Sequence, residues 1–503
     1  MGNILQGLTP EKVFAYFEAI CEIPHGSYHV DAISDYLVAF AKERNLFVLQ
    51  DEWKNVLIKK PASKGMEDAP TVILQGHMDM VCEKNSDVEH DFLTEGLKLQ
   101  VSGDDITARG TTLGGDDGIA VAYALAILDD DTLPHPPLEV LLTTEEEVGM
   151  EGAFGFDVSL LDGTVLLNLD SEEEGTVLTS CAGGVTVTVR YPLQYEKPKG
   201  SCYEIFIHGL KGGHSGADIH FGRANANVLM GQMLYVFSQT GISYQLAFLE
   251  GGMKSNAIPR ECRAFVYLDE NQLEGIKIVL QDFVTRVAQE FGEREDSIQV
   301  DFSPAGRRFE KVYSGYVRDA FADSVSHVTD GVCHMSEEVT GLVETSSNLG
   351  VVREQEDALE LVFLLRSCKE EELSKAEDVI SYVILQGAAN YIEKYEKSVV
   401  EHCKPQIESS NRYPGWAYKQ DSALRQLVTD VYRKQYGKEM EVTAIHAGLE
   451  CGIFASQKDF DIVSIGPDIL NIHTPEETLK ISSARRTYEL VCEVLRRAGE
   501  LKK

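Results

Sequence analysis

The sequence predicts an α/β protein in which a discontinuous α/β domain is interrupted by an inserted α+β domain. Two observations predict this architecture. The chain has 503 residues, which is too many for one hydrophobic core. Its strand-like segments are continuous apolar runs towards both ends, but they alternate apolar and polar residues between about 185 and 409. Continuous runs are typical of strands buried on both faces, whereas alternation indicates a sheet with one solvated face.

We therefore predict that residues 1–184 and 410–503 are the two parts of the α/β domain and that residues 185–409 form the insertion. Within the insertion, the order helix–strand–strand–helix occurs twice, around 224–289 and around 316–391. This repeated order predicts an internal duplication.

The composition predicts a globular protein of the cytoplasm. Hydrophobic residues make up 43% of the chain and charged residues 25%, as in soluble domains. No apolar run approaches the roughly 20 residues that span a bilayer, and no secretory signal is visible. The ten cysteines are scattered without a C-x-x-C pair, which favours reduced thiols. A net charge of −35 argues against nucleic acid and membranes as partners.

Two helices are predicted before the first buried strand. Thr9 and Pro10 predict the start of the first helix, with Thr9 as N-cap and Pro10 at the first helical position. Apolar residues at helical spacing predict the second helix from Val30 to Glu43. We expect both helices to serve packing.

The stretch from Thr71 to Met80 predicts a buried strand that ends at a candidate site. Its apolar run stops at Gly76 and is followed by His77 and Asp79. Open α/β sheets bind ligands beyond the carboxyl ends of their strands. A histidine with a carboxylate two residues later suits a metal ligand and the group that orients its ring. Taken alone, however, the pair is better explained as an ordinary turn histidine.

A glycine-rich turn comes next and carries Asp116 and Asp117 just before a predicted helix, Ile119 to Leu128. Carboxylates at a helix N-terminus stabilise the helix dipole, which is the structural explanation. The glycines favour the alternative that the backbone folds closely around a ligand.

Three later strands also end in acidic or histidine-bearing loops. The strand Leu138 to Thr144 runs into Glu145–Glu147, and Val165 to Asp170 ends in a carboxylate. After a further strand near residue 465, the next loop brings His473. Clustered anions in such loops are costly unless a cation or a proton offsets their repulsion.

These loops supply two imidazoles and three carboxylates as candidate metal ligands: His77, Asp116, Glu147, Asp170 and His473. Such a donor set suits zinc, cobalt or manganese. It exceeds the need of one open site, so a carboxylate bridging two metals about 3.5–4 Å apart is expected, with a shared water as nucleophile. A carboxylate that binds no metal would act as general base, but spacing does not select it within Glu145–Glu147.

Eight strings of the sequence resemble one family, the cytosolic aminoacyl-histidine (Xaa-His) dipeptidases. These belong to the co-catalytic dizinc peptidases, which include aminoacylases and carnosinases. The strings occur in order along the chain: Gln75–Val81, Arg109–Asp116, Thr144–Gly152, Asp170–Gly175, Gly209–Gly216, Ile445–Gly452, Ile465–Asp468 and His473–Glu476. The similarity therefore extends over essentially the full length.

The resemblance implies roles for the candidate metal ligands. It implies two Zn²⁺ per subunit, for which Co²⁺ or Mn²⁺ could substitute. His77 and Asp170 resemble the ligands of one metal, and Glu147 and His473 those of the other. Asp116 resembles the carboxylate that bridges both metals.

The resemblance also implies two catalytic residues near the metals. Asp79 matches an aspartate that orients the metal-bound histidine, and Glu146 matches the general base, which precedes a ligand in the family's acidic loop. Asp117 stands where close relatives commonly have asparagine, and the direction of its effect on the metals is open.

By the same resemblance, the insertion is a lid that supports a homodimer. His214 matches a lid histidine that polarises the scissile carbonyl, although a turn histidine between glycines would look the same. Asn256, Arg260 and Glu450 are candidate substrate-binding residues, and His446 borders the pocket with no assigned role.

The sequence thus predicts a metal-dependent hydrolase of dipeptides, with preference for Xaa-His substrates such as β-alanyl-histidine. In this mechanism Glu146 activates the metal-bridging water. An N-acyl amino acid deacylase or a tripeptidase with the same metal centre is the alternative enzyme. A non-catalytic scaffold is disfavoured because all five candidate ligands are present.

Overall fold

The computed structural model describes residues 4–339 and 341–501, which fold into two compact units. The first unit runs up to Cys181 and continues over Trp416–Ala444 and from Leu449 onwards. The second unit comprises Ala182–Gly415 and Ile445–Gly448. The predicted insertion, 185–409, falls within the second unit. Residues 182–184, 410–415 and 445–448, which the sequence assigned to the α/β domain, pack with the second unit instead.

The described residues contain twelve α-helices: α1 (Glu11–Cys21), α2 (Asp31–Glu43), α3 (Gly115–Leu128), α4 (Glu151–Gly155), α5 (Ala226–Gln239), α6 (Leu273–Phe291), α7 (Gly315–His327), α8 (Glu370–Ala389), α9 (Lys397–His402), α10 (Ala423–Tyr436), α11 (Glu450–Gln457) and α12 (Ile481–Arg496). None of these described helices is both long enough and apolar enough to cross a membrane.

The strands follow in three groups along the chain. The first group is β1 (Phe47–Gln50), β2 (Val56–Lys60), β3 (Val72–His77), β4 (Leu99–Ser102), β5 (Asp105–Ala108), β6 (Leu138–Thr143), β7 (Val165–Asn168) and β8 (Thr176–Cys181). The second is β9 (Gly183–Pro192), β10 (Tyr195–Glu196), β11 (Ser201–His208), β12 (Gly213–His214), β13 (Gln245–Gly251), β14 (Ala257–Ile258), β15 (Cys262–Leu268), β16 (Gln299–Pro304), β17 (Val312–Tyr313), β18 (Gly331–Met335), β19 (Val343–Gln355), β20 (Ala358–Ser367) and β21 (Gln406–Tyr413). The third is β22 (Glu441–Ile445), β23 (Asp461–Ser464), β24 (Ile469–Leu470) and β25 (Thr478–Lys480).

The first unit is built on an eight-stranded sheet in the order β1-β2-β6-β3-β7-β23-β8-β22. Its centre is parallel, because β3 pairs in parallel with β6 and β7, and β23 does so with β7. Strands β3, β6 and β7 are buried along their whole length, as the continuous apolar runs predicted. Helix α3 is buried on every side, which explains why its sequence is apolar all round.

The two N-terminal helices are present, but the start of the first differs from the prediction. Helix α1 begins at Glu11, and Pro10 occupies the N-cap position without a side-chain cap. The predicted cap at Thr9 is therefore wrong, because the chain enters the helix one residue later than Thr9 would require. Helix α2 begins at Asp31, within one residue of its predicted start.

The second unit is built on a nine-stranded sheet in the order β16-β11-β15-β13-β19-β20-β9-β21, with β18 beside β19. Burial alternates along β9 and β11, so each strand turns one set of side chains into the core. Val185, Val187 and Val189 of β9 pack there with residues of α5, α7 and α8. The predicted alternation with one solvated face is confirmed by this pattern.

The sheet of the second unit is symmetric about its centre. The segment α5-β13-β15-α6 is followed along the chain by α7-β19-β20-α8, with short strands between. Strands β13 and β19 meet at the middle of the sheet through the pair Gly251 and Val352. The strands β15 and β20 then occupy equivalent outer positions. This is the arrangement that an internal duplication predicts.

Candidate metal centre

The candidate site lies where the central strands of the first unit end. Strands β3, β6 and β7 are parallel neighbours, so their carboxyl ends meet at one edge of the sheet. His77 is the last residue of β3, Glu145–Glu147 follow β6, and Asp170 follows β7. The loop after β24 brings His473 to the same edge.

The structure brings all five predicted metal ligands together. Nε2 of His77 lies 3.1 Å from Oδ1 of Asp116 and 3.3 Å from Oδ1 of Asp170. Nε2 of His473 lies 3.2 Å from Oδ2 of Asp116 and 3.0 Å from Oε2 of Glu147. Asp116 therefore presents one carboxylate oxygen to each histidine.

Two trios of the predicted ligands, and a third trio that includes Glu146, have ligand atoms within 4.8 Å of one another: His77/Asp116/Asp170, Asp116/Glu147/His473 and His77/Glu146/Glu147. The first two trios share Asp116, as a bridging carboxylate would. The third trio contains Glu146, so distance alone does not separate a ligand role of Glu146 from a role as general base.

Burial and the close packing of carboxylates and histidines shift the pKa values of the site residues. Burial and the nearby carboxylates raise the pKa of Asp170 to about 6, against the opposing effect of His77. Burial likewise raises the pKa of Glu146 well above its usual range, with His77 opposing and Asp170 and Glu147 adding to the rise. Hydrogen bonds to Asp116 and Glu147 raise the pKa of His473 to about 10.

Two further carboxylates add to this negative charge. Asp117 is buried, and its Oδ2 accepts a hydrogen bond from the backbone N–H of His77 at 3.2 Å. Burial and the charge of Asp170 raise the pKa of Asp117 well above its usual range. Burial and the charges of Asp116 and Asp170 raise the pKa of Glu172 to about 8. The sequence did not single out Glu172 as a member of the site.

This donor set fits divalent cations. Imidazole and carboxylate donors suit zinc, cobalt or manganese. The repulsion between the carboxylates calls for a positive charge, and two trios with a shared carboxylate offer places for two ions. The residues present therefore fit the predicted pair of metals.

Asp79 contacts both His77 and the acidic loop, on the side of the His77 ring that faces away from the other candidate ligands. Nδ1 of His77 lies 3.0 Å from the main-chain oxygen of Asp79 and 3.5 Å from its Oδ1. The carboxylate of Asp79 accepts hydrogen bonds from the backbone N–H of Glu146 at 3.1 Å and from Oγ of Ser27 at 2.8 Å. The histidine ring is thus oriented mainly by the main chain of Asp79, while its side chain anchors the acidic loop.

Sequence reasoning missed the contribution of the loop after α1. Besides the hydrogen bond of Ser27, the backbone N–H of Tyr28 donates to Oε2 of Glu145 at 2.6 Å. Tyr28 has a positive φ of 65°, and nothing in the local sequence pattern indicates this turn.

Glu450 is fully buried in the first unit. Its Oε2 accepts hydrogen bonds from Nε2 of Gln75 at 2.5 Å and from Oγ1 of Thr143 at 2.7 Å. Burial raises the pKa of Glu450 to about 8, against the opposing effect of His77. These contacts favour a structural role in which Glu450 stabilises the ends of β3 and β6. Its contact with substrate stays a prediction.

The predicted residues of the insertion meet on a short ribbon of the second unit. Strand β12 pairs with β14, which places His214 opposite Ala257 and beside Asn256. Asn256 and Arg260 are exposed. Nε of Arg260 donates to the main-chain oxygen of Leu210 at 3.1 Å, so the terminal nitrogens of its guanidinium remain available.

His214 has a defined tautomer. Its Nδ1 accepts hydrogen bonds from the backbone N–H groups of Gly216 at 3.1 Å and Ala217 at 3.0 Å. Burial and the charge of Arg366 lower its pKa, so the ring is neutral and carries its proton on Nε2. His214 is thereby prepared to donate a hydrogen bond from Nε2.

Arg366 and His446 lie in the same region of the second unit. Nε2 of His446 lies 2.7 Å from Oγ of Ser346, and burial and Arg366 lower the pKa of His446 to about 3. Arg366 is buried, and its Nε has no hydrogen-bond partner among the described residues. Sequence reasoning missed Arg366, although an arginine within the apolar run of β20 was a usable signal.

A discontinuous α/β unit with a carboxylate–histidine cluster at its strand ends is the arrangement of a metal-dependent peptidase. The chain belongs to peptidase family M20/M25/M40, whose model matches residues 73–497. The resemblance found in the sequence is thereby confirmed, as is the predicted fold class.

Individual relatives extend this similarity to nearly the whole chain. The cytosol non-specific dipeptidase of Escherichia coli (strain K12) is 36% identical over 495 residues, 98% of each chain. The crystal structure of aminoacylhistidine dipeptidase from Vibrio alginolyticus matches with a TM-score of 0.88 and 37% identity over 98% of each chain. A tripeptidase from Staphylococcus aureus shares the fold, with a TM-score of 0.60 and 15% identity over 98% of this chain and 100% of that one.

Proposed function

We propose that the protein is a dimetal dipeptidase that hydrolyses short peptides, including Xaa-His dipeptides such as β-alanyl-histidine. The observation that carries the proposal is the shared position of Asp116 between two ligand trios, one with His77 and Asp170 and one with Glu147 and His473. The dipeptidase names of the Escherichia coli and Vibrio alginolyticus relatives support a dipeptide substrate.

In this proposal His77, Asp116 and Asp170 would hold one ion, and Asp116, Glu147 and His473 would hold the other. Two divalent ions would supply Lewis acidity towards the scissile carbonyl and a more acidic water. We infer Zn²⁺ from the mixed imidazole and carboxylate donors, with Co²⁺ and Mn²⁺ able to substitute.

Side chains of the protein carry out the proton transfers and position the reacting groups. The carboxylate of Glu146 takes a proton from the attacking water and returns it to the leaving amine. Asp79 fixes the ring of His77 and, through the backbone N–H of Glu146 at 3.1 Å, the position of that base.

The second unit would supply substrate contacts. His214 donates from Nε2 to the developing oxyanion, a role supported by its neutral tautomer. Asn256 and Arg260 bind the substrate carboxylate, for which a guanidinium fork is well suited. The buried Arg366 beside His214 is a further candidate for that carboxylate.

We also propose a cytoplasmic location and a homodimeric assembly. The similarity to the cytosol non-specific dipeptidase of Escherichia coli supports a cytoplasmic location. The homodimer rests on the resemblance alone, and sedimentation measurements would test it.

The first experiment is metal analysis paired with hydrolysis of β-alanyl-histidine before and after chelation. We expect two ions per chain and activity that is lost with chelator and restored by Zn²⁺, Co²⁺ or Mn²⁺. Absence of both metal binding and activity after each ion is added back would overturn the proposal.

A substrate panel then separates the dipeptidase from its alternatives. We expect α-dipeptides and β-alanyl-histidine to be cleaved faster than tripeptides and acetyl amino acids. Preferential cleavage of tripeptides or of acetyl amino acids would keep the metal centre but reassign the protein as a tripeptidase or a deacylase.

A further inference from the structure

One buried carboxylate outside the predicted ligand set makes an unusual number of contacts at the metal centre. Glu477 is 2% exposed. Its Oε2 accepts hydrogen bonds from the backbone N–H groups of Leu113 at 2.7 Å and Gly114 at 3.1 Å. Its Oε1 accepts from Gly115 at 2.8 Å and Asp116 at 3.3 Å. Four consecutive amides, two just before α3 and two at its start, thus converge on one carboxylate.

The same side chain joins two loops of the site. Glu477 lies four residues after His473, and its own N–H donates to the main-chain oxygen of Thr474 at 3.0 Å. Asp116, whose amide it binds, lies 3.2 Å from Nε2 of His473. Glu477 therefore fixes the turn that carries Asp116 to the loop that carries His473.

We propose that Glu477 is a positioning residue that sets the geometry between Asp116 and His473 and thereby the affinity for the second metal ion. The inference rests on the proposed function, because the second ion is the one assigned to Asp116, Glu147 and His473. The ion assigned to His77, Asp116 and Asp170 depends on only one of the two loops that Glu477 joins.

Helix capping accounts for only part of this arrangement. A cap satisfies the free N–H groups at the start of a helix, which here are those of Gly115 and Asp116. The N–H groups of Leu113 and Gly114, which also bind Glu477, precede the first residue of α3. The turn is already shaped by Gly114, which has a positive φ of 64°. A carboxylate bound by successive amides is a rigid anchor, and its placement decides where the next residue, Asp116, directs its side chain.

The test compares Glu477→Gln with Glu476→Gln, which makes the same chemical change at the exposed neighbouring residue. Glutamine keeps the size of Glu477 but replaces one acceptor oxygen by an N–H₂ group that faces backbone donors. Co²⁺ titration followed by calorimetry and visible absorption measures each binding event. Hydrogen exchange of the metal-free protein measures protection of residues 113–118.

We expect Glu477→Gln to weaken one of the two Co²⁺ binding events, the one assigned to Asp116, Glu147 and His473, by about 10–100-fold, as for other groups that orient metal ligands. The other event should change less, and the absorption spectrum of the doubly loaded protein should shift. Protection of residues 113–118 should fall in the metal-free protein. Glu476→Gln should match the unsubstituted protein in all three measurements.

Equal weakening of both binding events, or unchanged exchange at residues 113–118, would overturn the proposal. If Glu477→Gln does not fold, Glu477→Asp keeps the charge but shortens the reach by one methylene, and the same outcomes decide. If the unsubstituted protein binds no metal, the proposed function fails. The exchange measurement on the metal-free protein still decides whether Glu477 anchors the Asp116 turn, and unchanged protection there rejects it.

Discussion

The three glutamates of the acidic loop after β6, Glu145–Glu147, make different contacts. Glu147 reaches His473 at 3.0 Å, whereas Glu145 accepts a hydrogen bond from the loop after α1. Glu146 lies between them, and its backbone is held by Asp79. Three consecutive glutamates therefore have three different surroundings. The general base can be tested at Glu146 alone, since Glu145 and Glu147 have other contacts.

Substitution Glu146→Gln should lower kcat by about 10²–10⁴-fold, the contribution of a general base. Both metal ions should stay bound, because Asp79 and the five assigned ligands, which do not include Glu146, are unchanged. Steady-state kinetics and metal analysis of the purified variant measure the two effects.

The matched control for this substitution is Glu151→Gln, which changes an exposed glutamate at the start of α4 and should leave kcat unaltered. Loss of one ion from Glu146→Gln would instead assign Glu146 as a ligand, consistent with its trio with His77 and Glu147.

At the scale of elements, the close packing of β3 against α3 depends on Gly76. A Cβ at this position would overlap the carboxylate of Asp117 and lie 2.9 Å from Cβ of Ala120. Both neighbours are buried, so neither can move into solvent. The glycine therefore allows the strand that carries His77 to approach the helix that follows Asp116.

We expect Gly76→Ala to destabilise the metal-free protein by about 1–3 kcal/mol, the usual cost of overpacking a core. Urea denaturation measures the effect. Gly275→Ala is the control, since Gly275 lies in α6 with no heavy atom within 4 Å of the added Cβ among the described residues. Alanine there should be neutral or stabilising by up to about 1 kcal/mol. Equal effects of both substitutions would contradict the packing argument.

A second set of contacts ties the ends of three helices together. Asp129, directly after α3, pairs with Arg44 beyond α2 at 2.6 Å and with Lys12 of α1 at 3.0 Å. Burial alone would raise the pKa of Asp129, but hydrogen bonds from Lys12, Arg44 and Tyr16 outweigh it and lower the pKa to about 2. The folded pKa thus lies below the unfolded value of about 3.9.

This depressed pKa gives a stability contribution that is present above about pH 4 and is lost as the pH falls towards 2. Asp129→Asn should therefore destabilise the protein by about 1 kcal/mol near neutral pH, since the pairs are partly solvated. The difference from the unsubstituted protein should shrink between pH 5 and pH 3 in urea denaturation. Asp131→Asn, at a carboxylate whose side chain is 97% exposed, should show little effect, and a pH-independent difference for Asp129→Asn would contradict the assignment.

At the scale of the whole molecule, the sequence predicted the features that leave a periodic pattern of apolar residues, namely the strands of the two sheets. The continuous apolar runs identified β3, β6, β7 and β23, and residues at or beyond the ends of these strands supply four members of the metal-centre cluster, His77, Glu147, Asp170 and His473. Alternation in β9 and β11 identified a different kind of sheet. These features depend on which faces are buried, and burial leaves a regular pattern in the sequence.

Contacts made by loops left no such pattern. Ser27 reaches Asp79 across 52 positions of the chain, and Glu477 reaches the Asp116 turn across more than 360. Neither contact follows from local spacing, because the folded path of the loops decides it. The wrong cap at Thr9 has a related cause, since a single residue of offset at a helix start has no periodic signal.

The central pair of strands in the second unit has a consequence for assembly. Strands β13 and β19 belong to successive repeats of one chain and meet at Gly251 and Val352. Two separate molecules that paired in this way would come apart on dilution. Within one chain, each repeat meets its counterpart at an effective concentration on the order of millimolar. The pairing of the repeats is therefore independent of how much protein is present.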